Sequence, residues 1–145
     1  MSKTIAEVLD LKGREVWCIA VDAKVFEALE LMSDKNVGAL VVLEGEQVAG
    51  VFSERDYSSK VELCGHSSRT TTVRQVMMSD VACVSPETSI DEAMEIVTNS
   101  RRRHLPVLEN GKLVGLASIG DLVKATLDEK DLVIKNLKNY IKGED

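Results

Sequence analysis

Displaced by 65 residues, this chain lies on itself. Val21 to Val61 aligns with Pro86 to Thr126 without a gap, and ten of the 41 positions are identical. They include Glu27/Glu92, Ala28/Ala93, Leu40/Leu105, Gly50/Gly115, Ser53/Ser118 and Asp56/Asp121. Most of the others keep hydrophobic class. A second register, of 68, joins the starts: Thr4 to Leu9 lies on Thr72 to Met77. The first copy therefore carries three extra residues between Leu9 and Cys18, expected in a loop. Internal repetition on this scale means one supersecondary unit made twice.

Each copy reads as the same order of elements. A short amphipathic helix comes first, capped by Thr4 or Thr72. A strand follows, Val16 to Ala20 and Val81 to Ser85. Next is a helix with apolar residues at i, i+3, i+4 and i+7: Val25, Ala28, Leu29 and Met32, then Ile90, Ala93, Met94 and Val97. Ser89 and Glu92 have capping-box spacing, where the first copy has Lys24. Two strands then flank a turn at Glu44-Gly45-Glu46 and at Glu109-Asn110-Gly111, the second a strong hairpin signal. A last helix begins at Ser53 or Ser118. The predicted fold class is α/β (α+β), two β-α-β-β-α units. Copy one spans residues 4–63, a polar linker 64–71, copy two 72–127. Residues 128–143 form a final helix with a stripe of Val133, Ile134, Leu137, Tyr140 and Ile141, stopped by Gly143.

A unit of about 60 residues buries too little surface to be robust alone, so the two copies are expected to pack together, sheet to sheet with pseudo-two-fold symmetry. The composition fits: 44% of residues are hydrophobic but only 3% aromatic, so Val, Leu, Ile and Ala build the core. A net charge of −6 and the scarcity of rings disfavour a nucleic-acid polymer. No apolar run reaches the roughly 20 residues of a membrane span, and the N-terminus lacks a signal peptide's apolar stretch. The expected compartment is the cytoplasm. Three widely spaced cysteines, Cys18, Cys64 and Cys83, and two histidines give no zinc pattern. No nucleophile elbow, phosphate loop, metalloprotease helix or dinucleotide fingerprint occurs, and no catalytic residue is assigned.

Chemical content is concentrated at the junction from the last strand to the last helix. It reads Gly50-Val51-Phe52-Ser53-Glu54-Arg55-Asp56 and Gly115-Leu116-Ala117-Ser118-Ile119-Gly120-Asp121, a shared G-h-h-S-x-x-D. Locally this is a capping box, Ser at N-cap and Asp at N3. The same geometry suits a ligand: helix-terminal N–H groups and a hydroxyl favour phosphate, and a carboxylate suits paired ribose hydroxyls. Gly at the junction is read as keeping the approach uncluttered.

With Val81-x-x-Val84-Ser85-Pro86 and Arg103-His104-Leu105-Pro106-Val107, this layout resembles a tandem pair of CBS domains, the Bateman module, over residues 4–127. The resemblance implies an adenine-nucleotide sensor with two clefts between the copies. Carried over, it puts ribose on Asp56 and Asp121 and phosphate near Ser53 and Ser118. It gives adenine walls at Cys18, Ile19, Ala39, Cys83, Val84 and Pro106. Arg103 and His104 replace Gly38 and Ala39 of the first copy, and Arg55 replaces Gly120 of the second. A phosphate wants a cation, so the Ser118/Asp121 cleft, backed by Arg103 and His104, is the first choice. Arg103 reads equally as a solvated helix end, His104 as a packed side chain, and Arg55 as a partner of Glu54 or Asp56. Arg101 and Arg102 read as helix-end cations.

The implied function is a non-enzymatic regulatory module that binds AMP, or else ATP, ADP or NAD(H). It would act in trans on a separate, unknown protein, as a homodimer. An interaction module with empty clefts and an unrecognised enzyme are the other classes the sequence leaves open.

Overall fold

The computed structural model describes residues 3–100 and 102–127. The first copy comprises α1 (Ile5–Lys12), β1 (Cys18–Ala20), α2 (Val25–Lys35), β2 (Ala39–Glu44), β3 (Gln47–Ser53) and α3 (Glu54–Tyr57), which runs on as a π-helical turn, Ser58–Glu62. The second comprises α4 (Val73–Val76), α5 (Ile90–Ser100), β4 (His104–Glu109), β5 (Lys112–Ser118) and α6 over 119–127. The expected mixed α+β class with a sheet in each half is the one observed. The predicted helix over 128–143 lies outside the described residues.

Both hairpins close with two-residue turns at the predicted places. Asn110 (φ 54°) and Gly111 (φ 79°) both take positive φ, as a type I′ turn requires. Each hairpin carries one bulge, between Val42 and Leu43 and between Val107 and Leu108, at corresponding sites.

The sheets differ at their first strand. β1 pairs with β2 in parallel over Cys18 to Ala20, and the ladder is bounded by Val41 N–H to Trp17 carbonyl (3.0 Å) and Val21 N–H to Leu43 carbonyl (3.0 Å). The predicted strand Val81 to Ser85 is reduced to a single bridge, Val84 with Val107. The chain's two prolines explain this. Pro106 stands at the position of Val41 and Pro86 at that of Val21, and neither has an N–H to donate. Only the inner two bonds remain, Val84 N–H to Pro106 carbonyl (3.0 Å) and Leu108 N–H to Val84 carbonyl (2.8 Å).

The copies exchange their first helices. Ile5 and Ala6 N–H donate to the carbonyls of Thr88 (2.8 Å) and Pro86 (2.9 Å), and Ile90 N–H donates to Lys3 (2.9 Å). In mirror fashion Val73 and Arg74 donate to Ala23 (2.9 Å) and Val21 (3.0 Å), and Val25 to Thr71 (2.8 Å). The two sets map onto one another by the same displacements, 65 and 68, found in the sequence. Carbonyls of the opposite copy thus satisfy the first N–H groups of α1 and α4, which a helix cannot pair internally. This is why Thr4 makes no side-chain cap, although Thr72 N–H still reaches Gln75 Oε1 (2.8 Å).

Each core is accordingly shared. One gathers Val21, Val25, Ala28, Met32, Leu40, Val42, Phe52 and Val61 around Val73 and Val76 of α4. The other gathers Val84, Ile90, Ala93, Val97, Leu105, Val107, Ala117, Leu122 and Ala125 around Ile5, Val8 and Leu9 of α1. The three extra residues of the first copy do not form only a loop. They let α1 run eight residues against four for α4, ending at Lys12.

Candidate functional site

Both strand-to-helix junctions form the capping box. Ser53 N–H donates to Asp56 Oδ2 (3.0 Å), and Asp56 N–H donates to Ser53 Oγ (3.3 Å). Ser118 N–H donates to Asp121 Oδ2 (2.8 Å), and Asp121 N–H donates to Ser118 Oγ (3.1 Å). The box uses one carboxylate oxygen. Asp121 Oδ1 has no partner among the described residues, and Asp56 Oδ1 faces Lys60 Nζ at 3.3 Å. Capping and ligand binding are therefore compatible roles for one aspartate.

The junction glycines serve packing rather than an open approach. A Cβ on Gly50 would lie 2.5 Å from the Met78 carbonyl oxygen. That residue, just past α4, exchanges two backbone hydrogen bonds with Val51 (2.9 and 3.0 Å). A Cβ on Gly115 would lie 2.8 Å from Leu9 Cδ1 in α1. The glycine in each copy makes room for the other copy's exchanged segment.

Two clefts lie between the copies. The larger, about 820 Å³, combines Ser53, Arg55, Asp56 and Lys60 of the first copy with Val81, Arg102, Arg103 and His104 of the second. The smaller, about 610 Å³, combines Lys12, Arg14, Val16, Trp17, Lys35, Gly38 and Ala39 with Ser118 and His104. Both volumes suit a nucleotide-sized ligand. Cations outnumber carboxylates in each lining, Arg55, Lys60, Arg102 and Arg103 against Glu54 and Asp56, and Lys12, Arg14 and Lys35 against Glu15. In a chain of net charge −6 this concentrates positive potential where the walls converge.

The structure divides the expected residues differently from the sequence reading. Arg103 does not back Ser118 and Asp121; it lines the larger cleft with Ser53, Arg55 and Asp56. Its carbonyl accepts Ile119 N–H (2.9 Å) at its own copy's junction, while the residue borders the cleft that holds the other copy's junction. His104 borders both clefts. Burial, followed by the charge of Lys12, holds its imidazole below the usual histidine range, so it is neutral at pH 7. Arg55 makes no ion pair with Glu54 or Asp56. Arg102, read from sequence as a helix-end cation, pairs with Asp80 (2.6 Å) and borders the larger cleft. Arg101 lies outside the described residues.

Of the six adenine-wall residues only Ala39 lines a cleft. Val84 and Pro106 are buried in the second half, Ile19 packs on the first core, Cys83 is exposed, and Cys18 is partly buried with its thiol pushed up by desolvation. Sheet pairing and core packing occupy those strand residues. The cleft walls fall instead on the segments leading into the strands, Val16, Trp17 and Val81.

Lys12 was not foreseen. Its Nζ lies 2.6 Å from Asp121 Oδ2 and donates to the Leu116 carbonyl (2.7 Å). Val51, the counterpart of Leu116, receives Met78 N–H instead. The lengthened α1 thus carries a cation of the first copy to the second copy's motif. Burial alone would raise the Asp121 carboxyl, but the Lys12 ammonium and the Ser118 N–H outweigh it and hold it below the ordinary range. A carboxylate so lowered stabilises the fold above its unfolded pKa of about 4, and loses that contribution as the pH falls through its folded value. Lys12→Met is therefore expected to cost about 1 kcal/mol at pH 7, the pair being partly exposed, and less at pH 3. Urea midpoints at the two pH values check this, and an equal deficit at both would contradict it.

Known proteins match this chain along most of its length. The CBS-domain family profile matches residues 5–62 and again 73–128. The mitochondrial CBS domain-containing protein CBSX3 of Arabidopsis thaliana is 39% identical over 98% of this chain and 73% of its own. A solved structure of a protein with CBS domains from Burkholderia ambifaria is 43% identical, covers 87% of this chain and 95% of its own, and superposes with a TM-score of 0.81. A CBS-domain containing protein from Agrobacterium tumefaciens is 38% identical at a TM-score of 0.78, over 86% of this chain and 99% of its own.

Proposed function

The chain belongs to the CBS-domain family as a tandem pair, and from that premise we propose that it is an adenine-nucleotide-binding regulatory module. The observation that carries the reading is the pair of cation-rich clefts, the larger lined by Ser53 and Asp56 of one copy with Arg102 and Arg103 of the other, the smaller by Ser118 of one copy with Lys12, Arg14 and Lys35 of the other, Asp121 standing behind Lys12 at 2.6 Å. Ribose hydroxyls bond the carboxylate oxygens of Asp56 and Asp121 that face away from the capping box. Phosphate lies toward Ser53, Arg55, Arg103 and His104 in the larger cleft, and toward Ser118 and Lys12 in the smaller. AMP is the first choice, with ADP, ATP and NAD(H) as the alternatives. The module acts in trans on a partner protein and performs no chemistry of its own.

Self-association fits the surface. Ile119, Val123 and Leu127 lie at i, i+4 and i+8 on α6 and are 38%, 40% and 53% exposed, a stripe that a homodimer would cover. A reducing compartment such as the cytoplasm suits three free cysteines. Calorimetric titration with AMP, ADP, ATP and NADH tests the nucleotide reading, and light scattering on the same sample tests the dimer. Heat from AMP is expected with a mass of two chains. No heat from any nucleotide at millimolar concentration would remove the sensor reading, and a monomer mass would remove the dimer.

A further inference from the structure

We propose that Trp17 is the purine-stacking platform of the smaller cleft, and that Lys35, now seated over its ring, yields that place to the base and turns to the phosphate. This rests on the nucleotide reading above and adds which cleft reads the base and with which residue. The ligand class is a purine nucleotide with at least one phosphate.

Trp17 is the chain's one tryptophan, and it is only partly buried. It lines the smaller cleft beside Lys12, Arg14 and Ser118. Its position is fixed by the sheet, because its carbonyl accepts Val41 N–H (3.0 Å) where β1 begins. A residue whose backbone is tied to the sheet at the mouth of a strand is held more firmly than one on a free loop, which is what a stacking surface needs. One face of the ring is already used as a binding surface: Lys35 Nζ stands 4.5 Å from its centroid.

The magnitudes favour exchange. A cation over an exposed indole gains about 0.5–1 kcal/mol, while a base stacked on an aromatic side chain gains about 1–3 kcal/mol. A purine therefore displaces the ammonium, and the displaced ammonium stays within the same cleft. There it joins Lys12 and Arg14 as a counter-charge for phosphate. A nucleotide supplies both the plane and the anion; a bare phosphate supplies only the second.

Among the described residues the larger cleft has no such platform. No aromatic ring other than the His104 imidazole appears in its lining, and the residue corresponding to Trp17 in the second copy is Ala82. The duplicated framework thus gives two unlike sites. The larger reads charge through arginines, and the smaller reads a base through Trp17.

Trp17 is also the reporter. AMP is expected to quench its emission saturably, while ribose 5-phosphate at equal concentration leaves it unchanged. Trp17→Leu is expected to weaken AMP binding at one class of sites about tenfold, and Trp17→Phe to recover most of that loss. Binding of AMP by calorimetry with unchanged emission would overturn the platform and leave the nucleotide reading standing. Equal quenching by ribose 5-phosphate would also overturn it. No AMP binding at all would overturn both. The wild-type emission decides the matter even where Trp17→Leu fails to fold.

Discussion

A fragment of residues 14–80 is expected to unfold cooperatively in urea, whereas one of residues 1–71, slightly longer, is expected to show no transition. The second matches the sequence repeat with its linker; the first matches a physical core. Every member of the first core lies between Trp17 and Met77, so the shorter fragment contains α4 and loses only α1, which packs elsewhere. The longer fragment keeps α1 without the strands it covers and lacks Val73 and Val76, which are 0% and 5% exposed. Burying one such side chain is worth about 1.5–3 kcal/mol. Losing two, with the hydrogen bonds from Val73 and Arg74, removes an amount comparable to the whole stability of a small domain, about 5–15 kcal/mol at most. Circular dichroism against urea is the measurement. A sigmoidal transition in residues 1–71 equal to that of residues 14–80 would mean that the exchanged helices are dispensable.

Gly50→Ala is expected to destabilise the protein by about 3 kcal/mol and Gly115→Ala by about 1–2 kcal/mol, although the glycines occupy the same motif position. The new methyl group at 50 meets a backbone oxygen at 2.5 Å, held by two hydrogen bonds between Val51 and Met78. Backbone in a ladder cannot shift without breaking those bonds, and overpacking adds about 1–3 kcal/mol to their loss. At 115 the obstacle is the Leu9 side chain, at 2.8 and 2.9 Å. It is fully buried, but its terminal methyls can turn where a carbonyl cannot. Thermal midpoints of the two variants decide the order. Had the glycines served only ligand approach, both variants would melt like the wild type and differ only in nucleotide affinity.

Much of this was legible in sequence because it is coded locally. Asn110-Gly111 specifies its turn by the φ values those residues tolerate, and Ser-x-x-Asp specifies its box by spacing alone. The exchange of helices was not legible. An amphipathic stretch such as Ile5 to Leu9 carries the same stripe whichever sheet it covers, and nothing in its periodicity says that the sheet is its own copy's or the other's. Lys12 was hidden for a related reason. A lysine in the last turn of a helix already satisfies the helix dipole, so its long-range partner leaves no mark. The single signal was the three-residue excess of the first copy, whose meaning is the extra turn that delivers Lys12. The prolines were visible as residues, but their effect on one strand needed the hydrogen-bond register. With only 3% aromatic residues the composition draws no attention to Trp17, although one ring in the right cleft suffices.

The exchange also sets an order on synthesis. Chains emerge from the ribosome N-terminus first, at about 5–20 residues per second. α1 therefore appears before any surface it can cover, and its bridge partner Ser89 follows roughly 80 residues later, about 4–16 s at those rates. During that interval Ile5, Val8 and Leu9 are an unsheltered apolar stripe. α4, by contrast, emerges directly after the sheet it completes, so the first core closes at about residue 77. The second core must then reach back for a helix made long before, and it is complete only once Leu122 and Ala125 of α6 have joined it. The two halves are near-copies in space and opposites in time.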